Sequence, residues 1–234
     1  NTNNILLNLN LVTNEEIIQF PKIYKDINKI PGNNPKDPLN LSFIVARCLL
    51  IHALHSVNTT NRVINLFVYT TPFKKMAQSM DDSLGPLQVN SAFQYRDTMI
   101  IFRNEELMKS ILHESIHHAH LDNHLEDNNE INAYIRKHMA VDDKSDIRVY
   151  EAFTETIANV FNVIVTLYEM IMIRKDSLQS HHELLERFIT LEQVFACFQT
   201  AKILNFYGFD SFEEFLSPGT TDKRILQETS VLSY

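Results

Sequence analysis

NEELMKSILHESIHHAHL, residues 104–121, reads as an α-helix: it opens on Asn104, a candidate N-cap, and sets acidic residues in its first turn, where they favour the helix dipole. Within it, His113-Glu114-Ser115-Ile116-His117 follows the H-E-x-x-H pattern. Side chains at i and i+4 lie one above the other on a helical face, so the imidazoles of His113 and His117 can converge on one metal ion with Glu114 beside them. The spacing suits zinc. The competing reading is a solvated helix face, since His118, His120, His124 and His138 show how freely the chain uses His nearby. His118 and His120 point elsewhere on the helix and are expected at the surface.

Two strand-like runs precede this helix. Gln88–Tyr95 (QVNSAFQY) and Thr98–Arg103 (TMIIFR) are separated by Arg96-Asp97, the length of a tight hairpin turn. Further upstream, Arg62–Thr70 (RVINLFVYT) suits a buried strand and Leu41–His55 an amphipathic helix. Downstream, 122–146 is polar with a short helical piece at 132–138. Ile147–Arg174 reads as one long, mostly apolar helix, and two more helices are expected at 180–206 and 211–216. Asn159, Asn162, Thr166 and Glu169 place within the long helix groups that a bilayer would penalise, which makes it a core helix and not a membrane span. Phe153, Phe161, Met170 and Met172, with Phe195 and Phe198 of the next helix, are expected in the core.

The long helix carries Glu151-Ala-Phe-Thr-Glu155, two carboxylates that share a face. Three protein ligands plus a water is the arrangement of a catalytic zinc, and His2Glu is a standard set, so Glu151 is the candidate third ligand and Glu130 its alternative. Glu155, one turn along, would accept the free ring N–H of a ligand His and fix its tautomer. Asp122, five residues past His117, is as suited to a helix end as to such a supporting role. The metzincin scheme, a third His six residues after the second behind a Gly turn, fails on Asn123 and His120. The aspzincin G-T-x-D-x-x-Y-G is met only in its first half by Gly219-Thr-Thr-Asp222, which leaves Asp222 a weak competitor.

In these residues the chain resembles the gluzincin metallopeptidases, the thermolysin-like superfamily. His113, Glu114 and His117 match that group's H-E-x-x-H, and Glu151 with Glu155 matches its E-x-x-x-D/E on the following helix. Tyr150-Glu-Ala-Phe153 looks like the N-E-G-F stretch of the zinc aminopeptidases, and Asn90-Ser-Ala-Phe93 resembles the N-A-F/Y edge strand that binds substrate main chain, with an inserted Ser. The similarity covers roughly residues 88–170. It implies Zn2+ as cofactor, His113, His117 and Glu151 as its ligands, Glu114 as general base, Glu155 behind a ligand His, and Asn90 and Ala92 at the substrate. It also implies a Tyr or His that meets the developing oxyanion, for which His182 and Tyr168 stand with His181 and Tyr207 as candidates.

The chain as a whole fits this. It has 234 residues, 44% of them hydrophobic, enough for a sizeable core. Lys plus Arg is 21 against 29 Asp plus Glu, giving a formal charge of −8 with no basic stripe, so nucleic acid is an unexpected partner. Only 4 Gly and 7 Pro argue against a sandwich of many short strands and for long helices. Cys48 and Cys197 sit in apolar stretches and read as two buried thiols of a reducing compartment rather than a disulfide. Residues 1–30 are expected to form a helix or two, and PGNNPKDP at 31–38 is the clearest linker signal.

The expectation is therefore an α+β, mostly helical protein in which a small β-sheet packs beside the H-E-x-x-H helix and a helical C-terminal lobe follows. Residues 1–38 would be an N-terminal arm and linker, and 39–234 the metallopeptidase-like domain, divided into 39–125 (sheet and active-site helix) and 126–234 (helical lobe). The expected activity is zinc-dependent hydrolysis of a peptide or protein substrate, away from membranes and in the cytoplasm or a virion, with secretion left open. The alternative is a catalytically inactive metallopeptidase-like module, a virion or toxin component that retains zinc for structure.

Overall fold

Leu7-Asn8-Leu9-Asn10-Leu11 alternates with the period of a strand, and a strand is what it forms. The computed structural model describes residues 5–12, 17–22, 41–55, 62–69, 74–75, 84, 86–103, 106–125, 128–174 and 181–226. Strands β1 (Ile5–Val12) and β2 (Ile17–Lys22) replace the helices expected there, because the apolar-polar alternation of β1 presents Leu7 and Leu9 to one buried face, which a helix would scatter. Then follow α1 (Leu41–His55), β3 (Arg62–Tyr69), the short α2 (Pro86–Val89), β4 (Ala92–Tyr95), β5 (Thr98–Ile101), α3 (Leu107–His118), a 3-10 turn (Asn123–Leu125), α4 (Asn129–His138), α5 (Val149–Arg174), α6 (His181–Phe206) and α7 (Phe212–Phe215). The protein is mostly helical with one small mixed sheet, the α+β class. No helix among the described residues is long and apolar enough to cross a membrane.

The chain divides into two compact units. The first comprises Asn1–Lys74, Ser91–Leu121 and Val160–Leu178. Its sheet has the order β2-β1-β3-β5-β4, with β1, β3 and β5 parallel and each edge strand antiparallel to its neighbour. The residues expected as a separate arm are thus partly strands of the sheet itself: Asn8 stands opposite Asn65 of β3, and the two amides hydrogen-bond at 2.8 Å. The 31–38 linker lies outside the described residues.

Alternate residues of the strands, Leu7, Leu9, Ile64, Leu66, Val68, Ala92, Met99 and Ile101, bury one sheet face together with Ile44, Val45 and Cys48 of α1 and Leu107 and Ile111 of α3. Full burial of each large side chain contributes about 1.5–3 kcal/mol, and a period-two strand delivers every second residue to the same side. Helix α1 is buried more widely than an amphipathic helix would be, and includes a fully enclosed cation. Arg47 pairs with Glu169 of α5 through both guanidinium NH groups and also donates to Thr166 at 3.2 Å. The hairpin between β4 and β5 turns at Arg96-Asp97 as expected, with Arg96 at φ 54. The strand expected over 88–95 is shorter, because Pro86–Val89 is helical; Pro suits a first helical position.

The second unit comprises Lys75–Asn90, Asp122–Asn159 and Gln179–Tyr234. Its core joins Leu84, Ala140, Val141, Ile147, Leu204, Tyr207, Phe209, Phe215 and Ile225. A parallel bridge between Val141 and Ile225 closes it, and the Tyr207 hydroxyl donates to the Leu226 carbonyl. Asn128 caps α4 by accepting from the Ile131 N–H at 3.1 Å. Both α6 and α7 form near the expected limits, but α6 leaves Phe195, Phe198 and Cys197 exposed where the sequence expects them buried. Among its described residues only Leu204 is buried, so apolar content is a poor guide to burial along this helix.

Candidate metal centre

Helix α3 begins at Leu107, preceded by Glu106 in the left-handed region at φ 61 with no side-chain cap; Asn104, the expected cap, lies outside the described residues. The helix buries Leu107, Ile111, Leu112 and Ile116 and packs on α1, β4 and β5. That packing fixes which way the remaining side chains face. The rings of His113 and His117 meet edge to face with centroids 4.7 Å apart, and their Nε2 atoms are 3.0 Å apart. Glu114 is 5% exposed.

The helix stops sharply after His118, with Ala119 as its C-cap. The His120 N–H donates to the His117 carbonyl and the Leu121 N–H to that of Ile116, with His120 at φ 58. This is the Schellman termination, here with His in the left-handed position that Gly usually takes. His118, expected at the surface, is buried instead: its Nδ1 lies 2.8 Å from Nε2 of His52 in α1, because the face a quarter-turn from the His113/His117 pair is the one packed on α1. His120 is exposed as expected.

Glu151 sits in the first turn of α5 and Glu155 one turn on; Glu151 is half-buried and Glu155 buried. Burial and the neighbouring Glu151 charge push the Tyr150 phenol above its ordinary range, so its hydroxyl remains a donor at neutral pH. Arg148 pairs with Asp146 at 2.5 Å. Asp122, 2% exposed, accepts from the hydroxyl of the fully buried Thr154 at 3.3 Å.

Among the described residues, one group of three or more His, Cys, Asp or Glu side chains could hold a metal ion: His113, His117 and Glu151 each offer one ligand atom, and these atoms all lie within 4.8 Å of one another. Ligands on a tetrahedral zinc, bound at about 2.0–2.1 Å, are separated by about 3.3 Å. The His pair is close to that spacing already. The donor set, two neutral imidazoles and a carboxylate, is of the kind zinc takes in sites that keep a fourth position open. Glu130 and Asp222, the competing ligands, are exposed and outside this group.

The remaining sequence candidates fare differently. Tyr168 lies 17 residues beyond Glu151 on the same uninterrupted helix, which puts it about 25 Å further along the axis, and it is 60% exposed. It cannot serve an oxyanion at a metal held by Glu151. The His182 side chain is 85% exposed and faces Glu186 at 3.6 Å. Tyr207 is committed to the core of its unit. Ala92 opens the edge strand β4 but turns its side chain into the sheet's buried face, so only its backbone is available to a ligand. Asn90 precedes that strand and is half-buried. The pairing of Asp122 with Thr154 has no signal in the sequence beyond the position of Asp122 just past the helix.

No family model, no curated protein and no solved structure matches the chain.

Proposed function

We propose that the protein is a zinc-dependent peptidase of gluzincin type, with His113, His117 and Glu151 as metal ligands. The observation that carries this reading is the convergence of one atom from each of these residues within 4.8 Å, two of them from the helix that also buries Glu114. Bound zinc would polarise a substrate carbonyl and lower the pKa of a coordinated water towards about 7. His113 and His117 would bind the ion as neutral imidazoles, so metal affinity would fall at low pH. Glu114 would be the residue that accepts a proton from the attacking water and passes it to the leaving amine. Glu155 orients a ligand imidazole from behind. The edge strand β4 offers backbone groups at which an extended peptide, led in past Asn90 and Ala92, adds as a further strand.

Glu114 favours this reading over a structural zinc module, which needs no general base. Metal content by inductively coupled plasma mass spectrometry, on wild type and His117→Ala in parallel, tests it. One zinc per chain that the variant loses supports the site, and a wild type that takes up no metal after zinc reconstitution sinks it.

A further inference from the structure

We propose that Asp122 and Thr154 are a positioning pair that holds the turn of α5 bearing Glu151, and so set the affinity of the metal site without touching the ion. The proposal rests on the zinc reading above. Glu151 occupies the first turn of α5, and first turns fray because their N–H groups lack intrahelical acceptors. A ligand there is only as well placed as the turn that carries it. Thr154, three residues on and on the neighbouring rung of the helix, is fully buried, and its hydroxyl donates to Asp122 Oδ2 at 3.3 Å.

Asp122 is itself well fixed. It follows the Schellman turn that ends α3 after His118, and its own carbonyl accepts from the Leu125 N–H at 2.9 Å as the chain enters the 3-10 turn. A carboxylate at 2% exposure is costly unless hydrogen-bonded, and a hydroxyl on the second turn of a helix, close to the positive end of its dipole, is a favourable partner. Metal sites depend on groups one step removed from the ligands, because a ligand that must be ordered on binding loses affinity. Here the ordering acts on the backbone turn rather than on the carboxylate.

The test measures Zn2+ affinity by chelator competition, the absorption spectrum of the Co2+-substituted protein, and the melting temperature of the metal-free chain, for wild type, Thr154→Val and Thr154→Ser. Val keeps the shape of Thr and removes the donor. Weakening of Zn2+ binding by about 10- to 100-fold in Thr154→Val, a shifted Co2+ spectrum and recovery of both in Thr154→Ser are expected. If Thr154→Val melts earlier but binds Zn2+ and Co2+ as wild type does, the pair is structural only and the proposal is overturned. Should Thr154→Val not fold, Thr154→Ala against Thr154→Ser makes the same comparison. A folded wild type that binds no Zn2+ overturns the zinc reading and this inference with it, whereas tight wild-type binding unchanged in the variants overturns this inference alone.

Discussion

His52 Nε2 and His118 Nδ1 lie 2.8 Å apart between α1 and α3, both rings buried, and His52 Nδ1 lies 2.7 Å from the Cys48 carbonyl. A carbonyl only accepts, so His52 carries its proton on Nδ1; in a neutral pair His52 Nε2 then accepts, and His118 Nδ1–H donates. The order of protons is set by one backbone oxygen, and it clamps α3 to α1 beside His117.

Removing one ring leaves the other's polar atom facing an apolar replacement. His52→Leu is expected to cost about 1–3 kcal/mol, and His52→Leu with His118→Leu to cost less than the two single changes together, because the double variant removes donor and acceptor at once. Urea unfolding of the four proteins measures this. Strict additivity would mean that the 2.8 Å contact contributes nothing of its own.

The same interface predicts a dependence on alkaline pH. Burial pushes the Cys48 thiol from its ordinary 9.0 up to about 12, opposed in small part by a hydrogen bond with Ser115. Between those values the folded chain keeps a proton that the unfolded chain releases, so the contribution is constant below pH 9 and stability falls as pH rises above it, by about 1.4 kcal/mol per unit. Cys48→Ala loses packing at pH 7 but lacks this slope. The stability gap between wild type and Cys48→Ala is therefore expected to narrow from pH 8.5 to about pH 10; a gap that stays constant would place the Cys48 thiolate in a solvated environment.

What the sequence made legible was what lies in short periods. The β4–β5 hairpin, the long helix α5 and the i, i+4 pair His113/His117 follow from spacing alone, since neighbours on a strand or helix are neighbours in the chain. Glu151 joined the pair through the match to a known ligand pattern. The edge order of the sheet, the burial of His118 against His52 and the bond from Thr154 to Asp122 were not legible, because each depends on which elements pack together. The strand at Ile5–Val12 is different: its alternation is present in the sequence, but the mixture of Asn with Leu and Ile reads there as a helix or two of an N-terminal arm. Asn8, between the buried Leu7 and Leu9, belongs to the other half of the pattern and bonds to Asn65 of the neighbouring strand. Tyr168 shows the converse error, a plausible residue type whose distance along its own helix rules it out.

Glu151 offers a ligand atom beside the His113/His117 pair and Glu114 follows His113 in the sequence, and the proposed chemistry gives the two carboxylates separable roles. Glu114→Gln keeps volume and hydrogen-bonding capacity but has no basic oxygen to accept a proton at neutral pH, so it is expected to retain zinc and fold while losing turnover by about 10²-fold or more. Glu151→Ala removes a ligand and is expected to lose zinc, with turnover lost in consequence. The two are told apart by metal content together with mass-spectrometric cleavage of a random peptide library, using the peptides that wild type cuts. Cleavage by Glu114→Gln at the wild-type rate would remove the general base from the mechanism. Full zinc occupancy in Glu151→Ala would transfer the third ligand to another carboxylate, with Glu130 and Asp222 the first to substitute.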